Sequence, residues 1–237
     1  MLFRSAIPYH QACPEQADLA RRLAGTGPAA SASGSLARAL RLLALASPEA
    51  TLTDWLLRHQ ADWLMGWLLG DWRWGEEGNN LRLGWDPRQQ RWSGHIDEQP
   101  WGQALPTIRA SGQRLGNLST EAATSLSLPA DCQVVAGSTD ANAAVLAADP
   151  GPGDGITVLG TTLVLKRFLP GPLEGPGLSN HRLAGRWLVG GASNSGAGVL
   201  QQFFSDDQLA ELSRQIDRKS TRLNSSHEWI SRMPSSA

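Results

Sequence analysis

Residues 134–144, with the sequence VVAGSTDANAA, predict the element order at the centre of this chain. The apolar start predicts a short strand, Gly137-Ser138-Thr139 predicts a tight turn, and the alanine-rich run predicts a helix to about Ala148. Asp140 falls where the strand passes into the helix. A carboxylate there lies near the positive end of the helix, which favours its ionised form. Taken alone, Asp140 is better interpreted as a helix N-cap.

A second small-residue turn, Gly160-Thr161-Thr162, follows twenty residues after Asp140. It lies between two β-rich runs at 156–159 and 163–165. Most such turns only join the strands of a hairpin. A carboxylate base followed by a small-residue turn that can hold phosphate is nevertheless what an ATP-dependent kinase of alcohol groups needs. The pair therefore indicates phosphoryl transfer more strongly than either motif alone.

A third glycine-rich segment spans Gly190 to Gly198 and follows the apolar run Trp187-Leu188-Val189. The pattern predicts a strand, a glycine-rich turn and a helix, in which backbone N–H groups can approach a phosphate. It matches neither a Walker A loop, a Rossmann fingerprint nor a hydrolase nucleophile elbow. By itself such a turn more often reflects close packing of a strand on a helix.

Composition limits the class of protein. The chain has 237 residues, of which 41% are hydrophobic, so it can bury a core, and a net charge of −1 argues against a nucleic-acid-binding surface. Cys13 and Cys132 are too far apart in sequence to suggest a metal site or a disulfide framework, which favours a cytoplasmic location. The most apolar run, Trp63 to Leu69, is too short to span a membrane, and no secretory segment is recognised.

The remaining pattern predicts mostly helices before Asp140 and strands after it. Helices are predicted at 15–24 and 35–46, from Thr53 or Asp54 to Leu69 with Gly70 as its end, in a short piece of 100–118, and at 203–216. Residues 71–95 are predicted to be loop-rich, and β-rich runs are predicted at 156–168 and 187–190. The Pro/Gly-rich segment 149–155 is predicted to be a domain boundary.

Tryptophan and histidine each allow two interpretations. Eight of the ten tryptophans lie between Trp55 and Trp101, where they could form a sugar-stacking platform or anchor a core that has few phenylalanines. Helical spacing beside leucines favours the core for Trp63 and Trp67, whereas Trp72, Trp74 and Trp85 leave both interpretations open. The histidines are scattered without metal-ligand spacing and are predicted to be surface or capping residues.

Six segments together resemble the FGGY carbohydrate kinases, and in particular the D-ribulose/D-xylulose kinase branch of photosynthetic organisms. These segments are Ala61–Gly66, Asn79–Asp86, Ala136–Asp140, Leu159–Lys166, Leu188–Gly196 and Phe203–Leu209, and they occur in family order. The resemblance covers about residues 35–216. It implies an α/β, actin-like and ribonuclease-H-like ATPase fold of two domains around a cleft, with ATP and Mg²⁺ as cofactors and a small sugar as substrate.

The resemblance also implies roles for individual residues. Asp140 matches the catalytic base, and Ser138, Thr139 and Asp140 are expected to contact substrate. The residues expected to hold the nucleotide are Gly160, Thr161, Thr162, Gly190, Gly191 and Gly196. No protein ligand to a metal is assigned. The reaction implied is transfer of a phosphoryl group from ATP to a hydroxyl of D-ribulose or D-xylulose.

The resemblance further divides the chain into three segments. Residues 1–150 are expected to be the C-terminal part of the first, sugar-binding domain, and 151–217 the start of the second, nucleotide-binding domain. Independently of the resemblance, residues 218–237 contain six serines and no apolar periodicity, so they look like a non-native, disordered tail. The family's N-terminal phosphate hairpin and adenine pocket have no counterpart in the sequence. The fold is therefore expected to be truncated at both ends, and the 237-residue chain is expected to lack kinase activity.

Two other classes of protein remain open at this stage. One is a non-catalytic actin-like module that binds a nucleotide or sugar without turnover, although such a module would not need Asp140. The other is a tryptophan-rich carbohydrate-binding domain, which would more often present its aromatic residues on an all-β platform. Neither the sugar nor the oligomeric state can be derived from the sequence.

Overall fold

The structure is a computed structural model that describes residues 5–45 and 55–215. The helices are α1 (Ala17–Ala24), α2 (Ser35–Ala44), α3 (Gln60–Leu69), α4 (Glu77–Asn80), α5 (Thr120–Leu126), α6 (Asp140–Ala147) and α7 (Asp206–Gln215). The strands are β1 (Trp74–Glu76), β2 (Trp85–Asp86), β3 (Arg91–Trp92), β4 (Thr107–Arg109), β5 (Arg114–Asn117), β6 (Gln133–Val135), β7 (Gly155–Leu159), β8 (Leu163–Leu169), β9 (Leu178–Leu183) and β10 (Arg186–Ser193). Short 3-10 turns lie at Pro14–Gln16, Pro28–Ala30, Gly102–Ala104 and Ala197–Gln202.

The main sheet has four strands in the order β7-β8-β10-β9. Strands β9 and β10 form an antiparallel pair that runs from Leu183 opposite Arg186 to Leu178 opposite Gly191. The smaller pairs are β1 with β4, which is parallel, and β2 with β3 and β5 with β6, which are antiparallel. A register shift between Arg114 and Gly116 marks an irregularity in β5, which pairs with the strand that begins the central motif.

Three apolar clusters hold these elements in place. The largest is built on α1 and α2, with Ala20, Leu36 and Leu40 buried against Leu83 and Ile96. Helix α2 presents leucines and alanines at helical spacing, so one of its faces is continuously apolar. This cluster lies in the N-terminal part of the chain, away in sequence from the central motif.

The other two clusters position the central motif from both sides. Val134 and Ala136, in and just after β6, pack against Met65 of α3. Val145 of α6 packs against Leu183 of β9 and Leu188 of β10. The turn that joins β6 to α6 is therefore anchored before and after by buried apolar side chains. A valine such as Val134 or Val145 contributes about 1.5–3 kcal/mol when fully buried.

The chain divides into two compact units. Unit 1 comprises Met1–Ile156 and Leu165–Gly191, and unit 2 comprises Thr157–Val164 and Ala192–Ala237, each taken over its described residues. All three apolar clusters belong to unit 1. Among the described residues of unit 2, only Gly196 is buried. The proposed division of the sequence into domains at 150/151 remains a prediction.

The expected mixture of helices and strands is observed, and most predicted elements are present. The helix expected from Thr53 or Asp54 instead begins at Gln60 within the described residues; both proposed caps lie outside them. Residues 55–59 are not helical, because the backbone N–H of Leu57 donates to the carbonyl of Ala104 at 2.9 Å and docks this segment on the 3-10 turn. Gly70 ends α3 in the left-handed region, as predicted.

Other predictions of secondary structure need correction. Residues 100–118 contain a 3-10 turn and strands β4 and β5 instead of an α-helix, and residues 71–95 contain β1, α4, β2 and β3. Strand β9 was not predicted, because polar residues such as Ser179 and Asn180 interrupt its apolar pattern. The last helix begins at Asp206, where the side chains of Ser205 and Gln208 each bond the other's backbone N–H. The predicted end at Ile216 and the tail 218–237 lie outside the described residues.

Candidate functional site

Asp140 is the first residue of α6 and not its N-cap. The N-cap is Thr139, which has an extended backbone and makes no side-chain capping bond. The carbonyl of Thr139 accepts the N–H groups of Asn142 and Ala143 at 3.0 and 2.9 Å. The Asp140 carboxylate accepts the N–H of Ala141 at 2.7 Å and is exposed. The interpretation as an N-cap is therefore wrong by one residue, and the carboxylate is accessible to a ligand.

Lys166 of β8 is the cation beside this turn. Its Nζ donates to the carbonyl of Ala141 at 3.1 Å and to Oδ1 of Asn142 at 2.8 Å. Burial lowers the pKa of Lys166, and the neighbouring Asp140 carboxylate opposes this effect. The lysine thus links β8 directly to the first turn of α6 and lies within electrostatic reach of Asp140.

Asn142 and His181 extend this contact into the interior of unit 1. Asn142 is 1% exposed, and its Nδ2 lies 3.3 Å from Nδ1 of His181 on β9. The pKa of His181 is lowered to about 4, first by burial and second by the charge of Lys166. The prediction that His181 is a surface or capping residue is wrong, because β9 carries it against α6.

A buried carboxylate cluster lies between α3 and α4. Asp62 is fully buried, accepts the N–H of Glu76 at 2.9 Å and Nδ2 of Asn80 at 2.8 Å, and has a pKa raised to about 6 by burial. Glu76 caps α4 by accepting the N–H groups of Gly78 and Asn79 at 2.7 and 2.9 Å. It also accepts the hydroxyl of Ser111 at 2.6 Å. This cluster fixes α4, which contacts β9.

Glu77 has the fewest hydrogen-bond partners of the buried acids in this region. It is 4% exposed, and its Oε1 has no hydrogen-bond partner among the described residues. Burial raises its pKa to about 7; the charge of Arg182 on β9 opposes the shift, and that of Glu76 adds to it. A buried acid that titrates near neutral pH is typical of functional sites, although structural networks also produce such shifts.

A small cleft opens beside Ser138. It has a volume of about 280 Å³ and is lined by Ser111, Gly112, Ala136, Gly137, Ser138, Leu146, Leu183 and Ala184. The Ser138 hydroxyl is buried without a hydrogen-bond partner in the described part of the chain. An orphaned hydroxyl on a cleft wall can donate to or accept from a hydroxyl of a ligand. The contact between Ser138 and substrate remains a prediction.

In unit 2, the Gly160-Thr161-Thr162 turn joins β7 to β8, and two backbone bonds hold it. The N–H of Ala197 donates to the carbonyl of Gly160 at 2.8 Å, and the N–H of Gly198 donates to that of Thr161 at 3.3 Å. A Cβ on Gly196 would lie 2.3 Å from the carbonyl carbon of Thr162. The two glycine-rich segments singled out in the sequence thus pack together, backbone on backbone, and position 196 requires glycine.

Gly190 and Gly191 lie inside β10, so the turn expected at this point begins later. A Cβ on Gly190 would lie 2.6 Å from the carbonyl oxygen of Leu165 on β8. The close approach of β10 to β8 accounts for glycine at position 190. This agrees with the alternative interpretation that the glycine-rich segment serves close packing. The helix expected after the turn is a 3-10 turn at Ala197–Gln202. Nucleotide contacts by Gly190 and Gly191 remain predictions.

The residues of the turn fit a phosphate group better than they fit a metal cage. Thr161 and Thr162 are exposed, and their N–H groups have no backbone acceptor among the described residues, so both donors are available. Across residues 5–45 and 55–215, no cluster of three or more His, Cys, Asp or Glu side chains could hold a metal. Mg²⁺ bound through nucleotide phosphates needs only one or two carboxylates.

The sequence prediction missed several residues of the region around Asp140. In the sequence, Lys166 lies at the end of a family segment and Asn142 within the central motif, and neither was assigned a role. Glu76 caps α4, but glutamate is not a residue that favours N-cap positions, so no local signal in the sequence indicated this role. His10 and His95 are exposed, as predicted, whereas His59 and His181 are half-buried; His227 lies outside the described residues.

Tryptophan behaves mainly as a core and packing residue. Trp101 is buried in the N-terminal cluster, where Trp55 and Trp92 pack against it, and Trp74 packs beside Met65. Trp63 and Trp67 are half-buried. Trp85 meets Trp92 edge to face at 5.5 Å across the β2–β3 pair. These contacts favour packing over an exposed sugar-stacking platform.

Solved structures with the same fold are carbohydrate kinases, so the chain has the carbohydrate-kinase, actin-like ATPase fold. A ligand-bound xylulose kinase from Lactobacillus acidophilus matches with a TM-score of 0.67 at 13% identity, over 91% of this chain and 48% of that one. A carbohydrate kinase from Novosphingobium aromaticivorans matches with a TM-score of 0.66 at 23% identity, over 85% and 47%. No family model matches the chain.

A gluconate kinase from Lactobacillus acidophilus also matches, with a TM-score of 0.62 at 14% identity, over 86% of this chain and 44% of that one. The chain therefore spans about half the length of the structures it resembles. Kinases of different sugars share this fold, so the fold alone does not specify a substrate. Within the described residues, no helix has both the length and the apolar character needed to cross a bilayer.

Proposed function

We propose that this chain belongs to the FGGY carbohydrate kinases and supplies the catalytic base of an ATP-dependent kinase that phosphorylates a hydroxyl of D-ribulose or D-xylulose. The observation that carries the proposal is the position of Asp140, exposed at the start of α6 between two apolar clusters, in a chain with the carbohydrate-kinase fold. The resemblance of the sequence motifs to the pentulose-kinase branch supports the choice of sugar.

Asp140 acts on the sugar hydroxyl that becomes phosphorylated. A carboxylate is a much weaker base than an alkoxide, so it takes the hydroxyl proton late, and most of the acceleration comes from positioning and charge stabilisation. Ser138 and Thr139, in the same turn, orient the sugar. Their backbone is held by β6 and α6, so the hydroxyl is placed with little loss of freedom in the protein.

The backbone N–H groups of Thr161 and Thr162 are proposed to bind phosphate oxygens of ATP. When bound, MgATP supplies the phosphoryl group and the metal charge that offsets its negative oxygens. Gly196 keeps the turn in shape by allowing the loop that follows β10 to lie against it. The two free cysteines, Cys13 and Cys132, suit a reducing cytoplasm, where we place the reaction.

The proposal is tested by titrating the 237-residue chain with D-ribulose and D-xylulose in a calorimeter, with D-gluconate and glycerol as comparison ligands. Asp140→Asn is expected to weaken pentulose binding by about fivefold or more, because a charged hydrogen bond to the sugar is lost. Asp131→Asn is the control, since Asp131 is exposed and lies in the loop before β6.

Sugar-dependent ADP release is measured in the same preparations. Any turnover that the chain supports is expected to fall by about 100-fold or more in Asp140→Asn. Absence of pentulose binding to the wild-type chain, or equal binding by the wild type and Asp140→Asn, would contradict the proposal. Binding without dependence on Asp140 would favour a non-catalytic sugar-binding module.

A further inference from the structure

We propose that Lys166, Asn142 and His181 form a hydrogen-bonded network that positions the first turn of α6, with Lys166 as the positioning residue for Asp140. The three side chains come from β8, α6 and β9. The link from this hydrogen-bonded network to catalysis rests on the proposed function, in which Asp140 is the catalytic base. The hydrogen-bonded network itself stands on contacts within unit 1.

The direction of each hydrogen bond in this network follows from the lysine at its end, which can only donate. An ammonium group can only donate, so the Asn142 atom that meets Lys166 Nζ at 2.8 Å must be the amide oxygen. The amide NH₂ therefore faces Nδ1 of His181 at 3.3 Å. An NH₂ group can only donate, so Nδ1 must be the acceptor. The lysine consequently fixes the tautomer of a histidine that it does not touch, with the proton on Nε2.

The same hydrogen-bond directions disfavour the charged form of His181. A protonated imidazole carries N–H on both nitrogens, and one of them would then face the NH₂ group of Asn142. Burial and the charge of Lys166 act in the same direction and lower the pKa of His181 to about 4. Next to His181 on β9, the charge of Arg182 acts on Glu77 of α4 and opposes the rise in the pKa of that acid.

Helix stability does not account for the place of Lys166. A cation near a helix N-terminus opposes the helix dipole, and burial of the ammonium adds a desolvation penalty. Asp140 is the carboxylate whose charge offsets these costs. The lysine also donates to the carbonyl of Ala141, next to Asp140. Its contacts therefore fix both the backbone beside Asp140 and the charge that faces it.

Nuclear magnetic resonance of the imidazole nitrogens of His181 tests the hydrogen-bonded network directly. In the wild type, His181 is expected to carry its proton on Nε2 at pH 7. In Lys166→Met the Asn142 oxygen loses its donor, so the amide is expected to rotate, accept from Nδ1–H of His181 and switch the tautomer. The pKa of His181 is then expected to rise by about one unit or more towards 6.5.

Two controls separate this effect from general damage. Lys166→Arg keeps a donor at the same place and is expected to retain the wild-type tautomer. His59, whose pKa is also lowered to about 4 by burial, lies at the start of α3 and should not respond to either variant. An Nδ1 proton on His181 in the wild type overturns the proposal even if Lys166→Met does not fold. So does an unchanged tautomer in folded Lys166→Met.

The consequence for Asp140 is measured separately by pentulose titration. Lys166→Met is expected to bind about threefold to fivefold more weakly than the wild type, an effect no larger than that of Asp140→Asn, and Lys166→Arg within about twofold of the wild type. If the tautomer switches while the wild type binds no pentulose, the proposed function is wrong and the proposed hydrogen-bonded network of Lys166, Asn142 and His181 is supported. If Asp140→Asn weakens binding while Lys166→Met leaves both the tautomer of His181 and the affinity unchanged, the hydrogen-bonded network is rejected and the proposed function is retained.

Discussion

Glu77 shows how one residue can make the stability of unit 1 depend on pH. Its pKa is about 7 in the folded chain against 4.5 for an ordinary glutamate, because burial disfavours the carboxylate. The folded chain therefore keeps a proton that the unfolded chain releases. Stabilisation from this proton is complete below pH 4.5 and is lost as the pH rises to about 7.

Glu77→Gln is expected to remove this pH dependence, because the amide keeps the shape of the protonated acid and does not ionise. Relative to Glu77→Gln, the wild type should lose about 1–3 kcal/mol of unfolding free energy between pH 5 and pH 8. Chemical denaturation across that range measures the loss. Comparing the two proteins cancels the contributions of Asp62, His59 and His181, which both contain.

The matched control is Glu174→Gln, since Glu174 is exposed and its ion pair with Arg88 is a surface pair that contributes little. Its curve of stability against pH should run parallel to that of the wild type. If the Glu77→Gln curve is also parallel to the wild type, Glu77 does not hold its proton in the folded chain.

The turn between β7 and β8 depends on glycine in a loop more than thirty residues away. A Cβ at Gly196 would lie 2.3 Å from the carbonyl carbon of Thr162, 2.6 Å from its Cα and 2.7 Å from the nitrogen of Leu163. The backbone of Gly196 itself, at φ −98°, is open to any residue. The need for glycine is therefore steric and comes from the neighbouring turn, not from the conformation of Gly196.

Gly196→Ala is expected to displace the Thr161–Thr162 turn and to destabilise unit 2 by about 1–3 kcal/mol, the usual cost of overpacking. Amide chemical shifts of Thr161 and Thr162 report the displacement, and thermal unfolding reports the loss. Gly160→Ala makes the same change in the same turn, where its Cβ would meet the carbonyl oxygen of Thr162 at an ordinary 3.9 Å. Equal effects of the two variants would show that the close approach does not matter.

The two units differ in how much apolar surface they bury. Unit 1 contains all three apolar clusters, whereas among the described residues of unit 2 only Gly196 is buried. Because burial of apolar surface is the main source of stability, the two units are not expected to open with the same free energy. The proposed phosphate turn lies in the less stable unit.

Hydrogen exchange is expected to show this difference in two amides with hydrogen bonds of equal length. The N–H of Ala136 in unit 1 donates to Gln113, and that of Ala197 in unit 2 donates to Gly160, both at 2.8 Å. Ala197 should exchange about 100-fold faster or more, because opening unit 2 exposes little apolar surface. Equal protection would mean that both units open together, which would contradict a separate, weaker unit 2.

Much of the local structure was predictable because its causes are local. The strand, turn and helix from Gln133 to Ala147 follow from apolar residues, small turn residues and an alanine run in order. Gly70 ended α3 as expected, since a left-handed residue favours glycine. Strand β9 and the residues before Gln60 were predicted wrongly or missed, because contacts with other elements outweigh their own pattern.

For the candidate site, local pattern was enough to place Asp140 between a strand and a helix and to mark Gly160–Thr162 as a turn between strands. It could not show that Lys166 and His181 meet Asn142, because they lie 24 and 39 residues away in sequence. Whether those side chains meet depends on the strand order β7-β8-β10-β9 and on the face of the sheet on which α6 packs. The packing face is set by burial of Val145 of α6 with Leu183 and Leu188 in one cluster, which requires the folded chain.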